Sequence, residues 1–406
     1  MTTTLRISVR NTAEDGGTFL TPFWFGLHDR GFDIFNPGEA AGAGLEALAE
    51  DGNFAPINAE VMAFDGDAVV GAVFGNDIPP IAPGEVASTV IENFDGADNT
   101  YVSLAAMVLP SNDAFVATED DVRLFANDGT FLGPRTFVFN GSDVYDAGTE
   151  VNTELDAAFI NQMGPDTGID ENGVVALHPG FLPVGEGTIL GGTTATGAVI
   201  DPVAGDFTQP GAGIATVFIN EATFREGTDG NDAIRGNLTD DLVTAGDGDD
   251  RIVTRAGWDE IDAGAGDDIV VSGAGLDIVN GGAGNDNIFG GLSDDILYGG
   301  ADNDVLRGGV GNDTLYGGAG DDRLGGSVGA DVFMFADGSE RDVVRGFNAE
   351  EDVLALNVEG VETYMDALSY ARSVGNGVVF DFGEGDLLVL TRTDLADLSE
   401  ENFNIL

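Results

Sequence analysis

The sequence predicts an all-β protein: an antiparallel β-sandwich carrying one helix, followed by a parallel β-roll with a β-rich C-terminal cap. Three observations predict it. Short stretches that alternate apolar and polar residues recur through the first half, the period-two pattern of half-buried strands. An aspartate then returns at every ninth position between Asp232 and Asp331, with an apolar residue two places after each one. A strand-rich stretch without that period closes the chain. These features divide the 406 residues into 1–224, 225–334 and 335–406, within the size range of separate domains.

In the first segment, Leu5–Val9 (LRISV), Tyr101–Leu109 (YVSLAAMVL) and Ile214–Ile219 (IATVFI) read as strands. One helix opens near Pro37 and runs through GEAAGAGLEALAEDG, with Leu45 and Leu48 on its buried face and Gly52 as its stop. Separated short strands with a single helix suggest an antiparallel sandwich.

The second segment is the periodic one. Its aspartates are Asp232, Asp241, Asp250, Asp259, Asp268, Asp277, Asp286, Asp295, Asp304, Asp313, Asp322 and Asp331. The cleanest copies, Gly281–Phe289 (GGAGNDNIF) and Gly308–Tyr316 (GGVGNDTLY), read G-G-x-G-x-D-x-U-x, where U is apolar. Glycines at positions one, two and four allow a tight turn with exposed carbonyls. The x-U-x piece makes a strand of about three residues with U facing inward. Two nonapeptides complete one coil, so aspartates eighteen apart stack. Asp250 to Asp322 form one row and Asp259 to Asp331 the other.

Facing carboxylates and carbonyls make an all-oxygen cage suited to a hard cation of flexible coordination. Without the cation the carboxylate rows repel and one apolar side chain per nine is a thin core. Metal binding should then supply much of the folding free energy. A disordered Gly/Asp linker would hold no such register. Some copies are degraded: position four is Thr239, Ser293 or Asp302, and position two is Thr228, Asn237, Arg255 or Ser327. The first two copies and the last have the character of capping repeats.

This nonapeptide resembles the calcium-binding repeat of RTX proteins. The resemblance implies several bound Ca2+ ions. It also implies export by type I secretion machinery, with the chain unfolded, a C-terminal signal, and folding on calcium outside the cell.

The third segment agrees. Asp342, Phe347, Asn348, Glu351, Asp352, Leu354 and Leu356 follow the repeats, and Leu395, Leu398 and Phe403 close the chain. Both groups resemble the C-terminal cap of RTX β-rolls.

Composition narrows the partners. Fifteen basic residues, all arginine, stand against seventy-two acidic ones for a net charge of −57. Such a surface repels nucleic acid and anionic membranes. Cysteine is absent, so there are neither disulfides nor thiolate metal sites. No apolar run reaches membrane-helix length, so no membrane insertion is expected. The opening MTTTLRISVRNTAEDGG lacks the basic and apolar regions of a secretory signal, which alone would suggest a cytoplasmic protein. Calcium affinities of roughly 0.1–1 mM, typical of extracellular modules, argue instead for a secreted, extracellular or cell-surface protein.

Four segments of the first half together resemble the spondin N-terminal domain. They are His28–Asn53, Leu104–Ala117 (LAAMVLPSNDAFVA), Tyr145–Asn152 (YDAGTEVN) and Gly213–Asn220 (GIATVFIN). The resemblance implies an extracellular adhesion or matrix domain with a calcium ion at one end, held by Asp113 and Asp146 and, in a looser alignment, Glu92. Asp113 and Asp146 also read as turn residues that bond their own backbone.

Catalytic constellations are sparse. The histidines are His28 and His178, with no H-E-x-x-H. His28 reads as a structural hydrogen-bonding residue, and His178-Pro179-Gly180 as a turn. Gly325–Gly329 (GGSVG) matches a nucleophile-elbow pattern, but it lies inside the nine-residue frame. The expectation is a non-enzymatic, calcium-loaded protein that presents its sandwich for adhesion or matrix binding. The alternatives are a self-associating subunit of a surface layer or fibre and, disfavoured, a secreted hydrolase.

Overall fold

The computed structural model describes residues 2–13, 17–75, 81–83, 85–97, 99–109, 114–147, 175–178, 207, 212–383 and 385–405. Two compact units divide them, Met1–Glu221 and Ala222–Leu406.

In the first unit, alternation builds two antiparallel sheets. One runs Arg135–Asn140, Gly213–Glu226, Thr2–Asn11 and Val86–Asp95, with Ile7 opposite Ile219 and Val9 opposite Val217. The other runs Ala176–Leu177, Tyr145–Asp146, Ala114–Ala117, Tyr101–Leu109, Phe23–His28 and Val69–Val73. Leu5, Ile7 and Val9 from the first sheet meet Phe25, Leu27, Val102 and Leu104 from the second in one buried core. Strand Tyr101–Leu109 is buried along most of its length, because a second core covers its other face. There Trp24, Phe115 and Tyr145 pack with Leu45, Leu48, Ile57 and Val61.

Those last four residues belong to two helices, where the sequence suggested one. The first, Ala43–Asp51, starts six residues past Pro37 and stops at Gly52, whose left-handed φ of 62° closes it. The second, Ala55–Phe64, carries Pro56 in its first turn, where a missing N–H costs nothing. Trp24 Nε1 donates to Asn58 Oδ1 at 2.7 Å and ties this helix to the sheet.

The second unit is the roll. Strands alternate between two parallel sheets, and partners lie eighteen residues apart: Ile288 beside Leu306 in one, Leu297 beside Leu315 in the other. Every apolar U residue from Val243 to Phe333 is buried. The strands are longer than x-U-x. Asn287–Leu292 and Ile296–Ala301 are six residues each and take in the next copy's two glycines.

Cap residues extend both sheets. Arg341–Arg345 joins one, Val353–Asn357 and Phe403–Ile405 the other, and Gly377–Gly383 closes a hairpin on Asp386–Thr391. A third helix, Tyr364–Ser369, is capped by Thr363. Phe347 packs on Phe333 with ring centroids 6.0 Å apart, and Leu398 is buried in the same core.

Candidate metal centre

In the cleanest copies the nonapeptide turn is shaped by three glycine positions, for two reasons; in the copies of Asp250, Asp259, Asp268 and Asp277 position one is Ala245, Thr254, Ala263 and Ser272 instead. Positions two and four are left-handed: Gly282 and Gly284 have φ of 103° and 121°, a region that a β-carbon disfavours. Position one is a matter of space. A β-carbon on Gly281 would collide with Oδ2 of Asp286, five residues on, and with the carbonyl of Gly299, one coil on. The aspartate side chain therefore lies folded against its own turn, beside backbone carbonyls.

Its two oxygens have different fates. Oδ1 accepts the backbone N–H of the aspartate one coil earlier. The bond from Asp268 N to Asp286 Oδ1 is 2.8 Å, and that from Asp277 N to Asp295 Oδ1 is 2.9 Å. These bonds link the predicted rows as drawn from the sequence and carry them further. Asp322 N donates to Asp342 at 3.1 Å and Asp331 N to Asp352 at 3.0 Å. Both are cap residues that the nine-residue period could not mark, because their spacings are twenty and twenty-one.

Oδ2 is different. In Asp250, Asp259, Asp268, Asp277, Asp286, Asp295, Asp304, Asp313, Asp322 and Asp342 it is buried without a hydrogen-bond partner. The first two copies end this pattern. Asp232 Oδ2 accepts from Thr228 N and Oγ1, while Asp241 accepts from Asn237 N and is paired with Arg225 at 2.6 Å. Asp352 Oδ2 accepts from Asn348 N.

An orphaned carboxylate oxygen in the interior is costly. Burial, with the next carboxylates of the row adding to it, pushes Asp277 and Asp304 up to about 8 and Asp295 to about 9. Burial likewise raises Asp286 and Asp313 to about 7.

The donor set fits calcium. Every unpartnered atom of the rows is oxygen, and the row supplies carboxylates and carbonyls with no thiolate or imidazole. Among the described residues no three His, Asp or Glu side chains converge on one point, so an ion here would draw on backbone carbonyls as well.

The sandwich gives less. Asp113 lies outside the described residues. Glu92 is exposed in strand Val86–Asp95 of one sheet, and Asp146 is half-buried in the other. His178 is buried against Phe207 with centroids 5.3 Å apart. Burial lowers its imidazole to about 4, against the opposing pull of Asp146. Pro179 and Gly180 lie outside the described residues. His28 is fully buried, with Nε2 2.9 Å from Ser103 Oγ. Ser327 lies in the roll strand Arg323–Val328, away from any strand-to-helix turn.

Fold and site together define a parallel β-roll with calcium-binding nonapeptides. Residues 226–333 match, in overlapping stretches, the family described as RTX calcium-binding nonapeptide repeat (4 copies). The chain carries RTX repeats and is a calcium-binding β-roll protein of a kind typical of secreted proteins. No curated protein matches this sequence. Among solved structures it is similar to the extracellular lipase LipA from Serratia marcescens at 21% identity and a TM-score of 0.22, over 46% of this chain and 40% of that one. The chain spans well under half of the lipase's length, and so loose a superposition says nothing about activity.

Proposed function

We propose that this is a secreted, non-enzymatic protein whose roll folds when calcium binds outside the cell, and which presents its N-terminal sandwich to an extracellular surface or matrix ligand. The supporting observation is the run of buried Oδ2 atoms without partners. Calcium held there by the aspartates from Asp250 to Asp342 and their neighbouring carbonyls would neutralise the rows and link adjacent coils. Type I secretion accords with RTX repeats, and no helix is long and apolar enough to cross a membrane. The spondin-like segments support adhesion. The non-enzymatic reading rests on two buried histidines and on a serine motif absorbed into the roll.

The test is calcium titration of metal-free protein by circular dichroism and light scattering. A cooperative gain of β-structure with a fall in hydrodynamic radius near millimolar calcium is expected. A chain already compact in chelator overturns the reading, and growth of the scattering mass with calcium would favour a self-assembling subunit over a monomeric adhesin.

A further inference from the structure

The roll's arginines are distributed on one side. Arg235, Arg251, Arg255, Arg307, Arg323, Arg341 and Arg345 all lie in strands of one sheet. The strands of the opposite sheet from Asp240 to Ile405 contain none. Along the outward positions of the arginine-bearing sheet, from Ala233 to Arg345, there is no acidic residue. This happens in a chain of seventy-two carboxylates.

Three of these side chains surround a gap. The outward row that reads Val253, Val271, Phe289 and Arg307 continues with Gly325 and then Arg345. Glycine there leaves a hollow of about 270 Å³ lined by Arg307, Arg323, Arg345, Val305 and Asn287. Backbone geometry does not demand this glycine: its φ is not left-handed, and an added β-carbon would meet nothing nearer than the Arg345 carbonyl at 3.6 Å. Arg307 and Arg345 stand two rungs apart, about 9.6 Å, with Arg323 on the strand between. All three are exposed, and none makes an ion pair or hydrogen bond among the described residues. Arg307 rests over the Phe289 ring at 4.8 Å, which holds its guanidinium in place.

We propose that Arg307, Arg323 and Arg345, around the gap at Gly325, form a binding site for a sulfate group, either the free ion or an ester carried on a polymer. Guanidinium forks bind oxyanions through paired charge-assisted hydrogen bonds. Three forks offer more donors than one carboxylate has acceptors, whereas a sulfate group presents three or four oxygens. Phosphate is a poor match for a fold that works in calcium, since the two precipitate together. The net charge of the chain opposes any polyanion at long range, but salt screens that repulsion beyond about 8 Å and leaves the local site.

The test is calorimetric titration of the full calcium-loaded chain with sodium sulfate, dextran sulfate and uncharged dextran. Binding of a sulfated form but not of dextran is expected. Gly325→Val, which refills the gap as Val253 and Val271 do, should weaken it at least about ten-fold, as should the triple change R307A/R323A/R345A. Circular dichroism in calcium should stay that of the parent. Saturation by sodium sulfate identifies the free ion as sufficient, and binding of dextran sulfate alone identifies a polymer-borne ester. Binding of neither, or binding undiminished in both variants, overturns the inference. A chain that still folds on calcium while ignoring sulfate removes this site and leaves the calcium reading intact.

Discussion

At the left-handed turn positions, four copies manage without glycine. Arg255, Ser293, Asp302 and Ser327 hold φ of 87°, 79°, 77° and 91°, a conformation that costs an L-residue roughly 1–2 kcal/mol. Neighbouring coils enforce it, since the strand ladder pairs Ser327 with Gly309. Ser327→Gly should therefore stabilise the calcium-loaded roll by about 1 kcal/mol, after allowing for glycine's freer unfolded chain. The urea midpoint in saturating calcium reads this, and an unchanged or lower midpoint contradicts the strain. Thr228, Asn237 and Thr239 do not adopt that backbone. Where they stand, the aspartate carboxylates instead take protein donors, among them Thr228 and Asn237 themselves.

The strand is the unit that carries the roll's apolar energy, one inward side chain at a time. Leu297 is fully buried between Val279 and Leu315 of adjacent coils. Leu297→Ala should cost about 2–5 kcal/mol. Because a coil touches only its neighbours, amide exchange should accelerate first in Ile278–Ala283 and Thr314–Ala319; uniform acceleration over the whole chain would contradict that locality. The period made U and Asp legible in the sequence, since both are side-chain choices repeated in phase. Strand length was not, because Gly-Gly reads as a turn although Gly282 and Gly300 still pair across coils. Helix Ala55–Phe64 was hidden by Pro56 and by a face of only two buried anchors, Ile57 and Val61. Asp342 and Asp352 escaped as row members because loop residues stretch their spacing. The burial of His178 was not legible because the residue that buries it, Phe207, is distant in sequence.

The aspartate rows make the whole roll sensitive to pH when metal is absent. The carboxyls of Asp259, Asp268, Asp277, Asp295 and Asp342 are raised by burial from the usual 3.8 to values between about 6 and 9. A folded state with raised values binds protons more tightly than the unfolded chain. The stability this gives is fully present below about pH 4 and is lost as pH rises through 6 to 9. In chelator the β-signal should therefore be larger at pH 5 than at pH 8.5, and saturating calcium should remove the difference. Roughly 0.15 M sodium chloride screens the general repulsion of the chain, so it should rescue less than calcium does. A metal-free β-signal that instead grows with pH would overturn the burial of these carboxylates.

A ladder of identical rungs has a degeneracy: sliding one coil past the next by eighteen residues restores every bond in the middle. Only the ends make the register unique. At one end Asp241 is paired with Arg225 at 2.6 Å, a partner that none of the later row aspartates has among the described ion pairs. At the other, Asp342 and Asp352 arrive twenty and twenty-one residues after their partners, like the odd teeth of a vernier. An insertion of eighteen residues would thus merely lengthen the molecule. An insertion of nine, placed early, would exchange the two sheets for everything downstream and move the arginine-bearing strands into the sheet that had none.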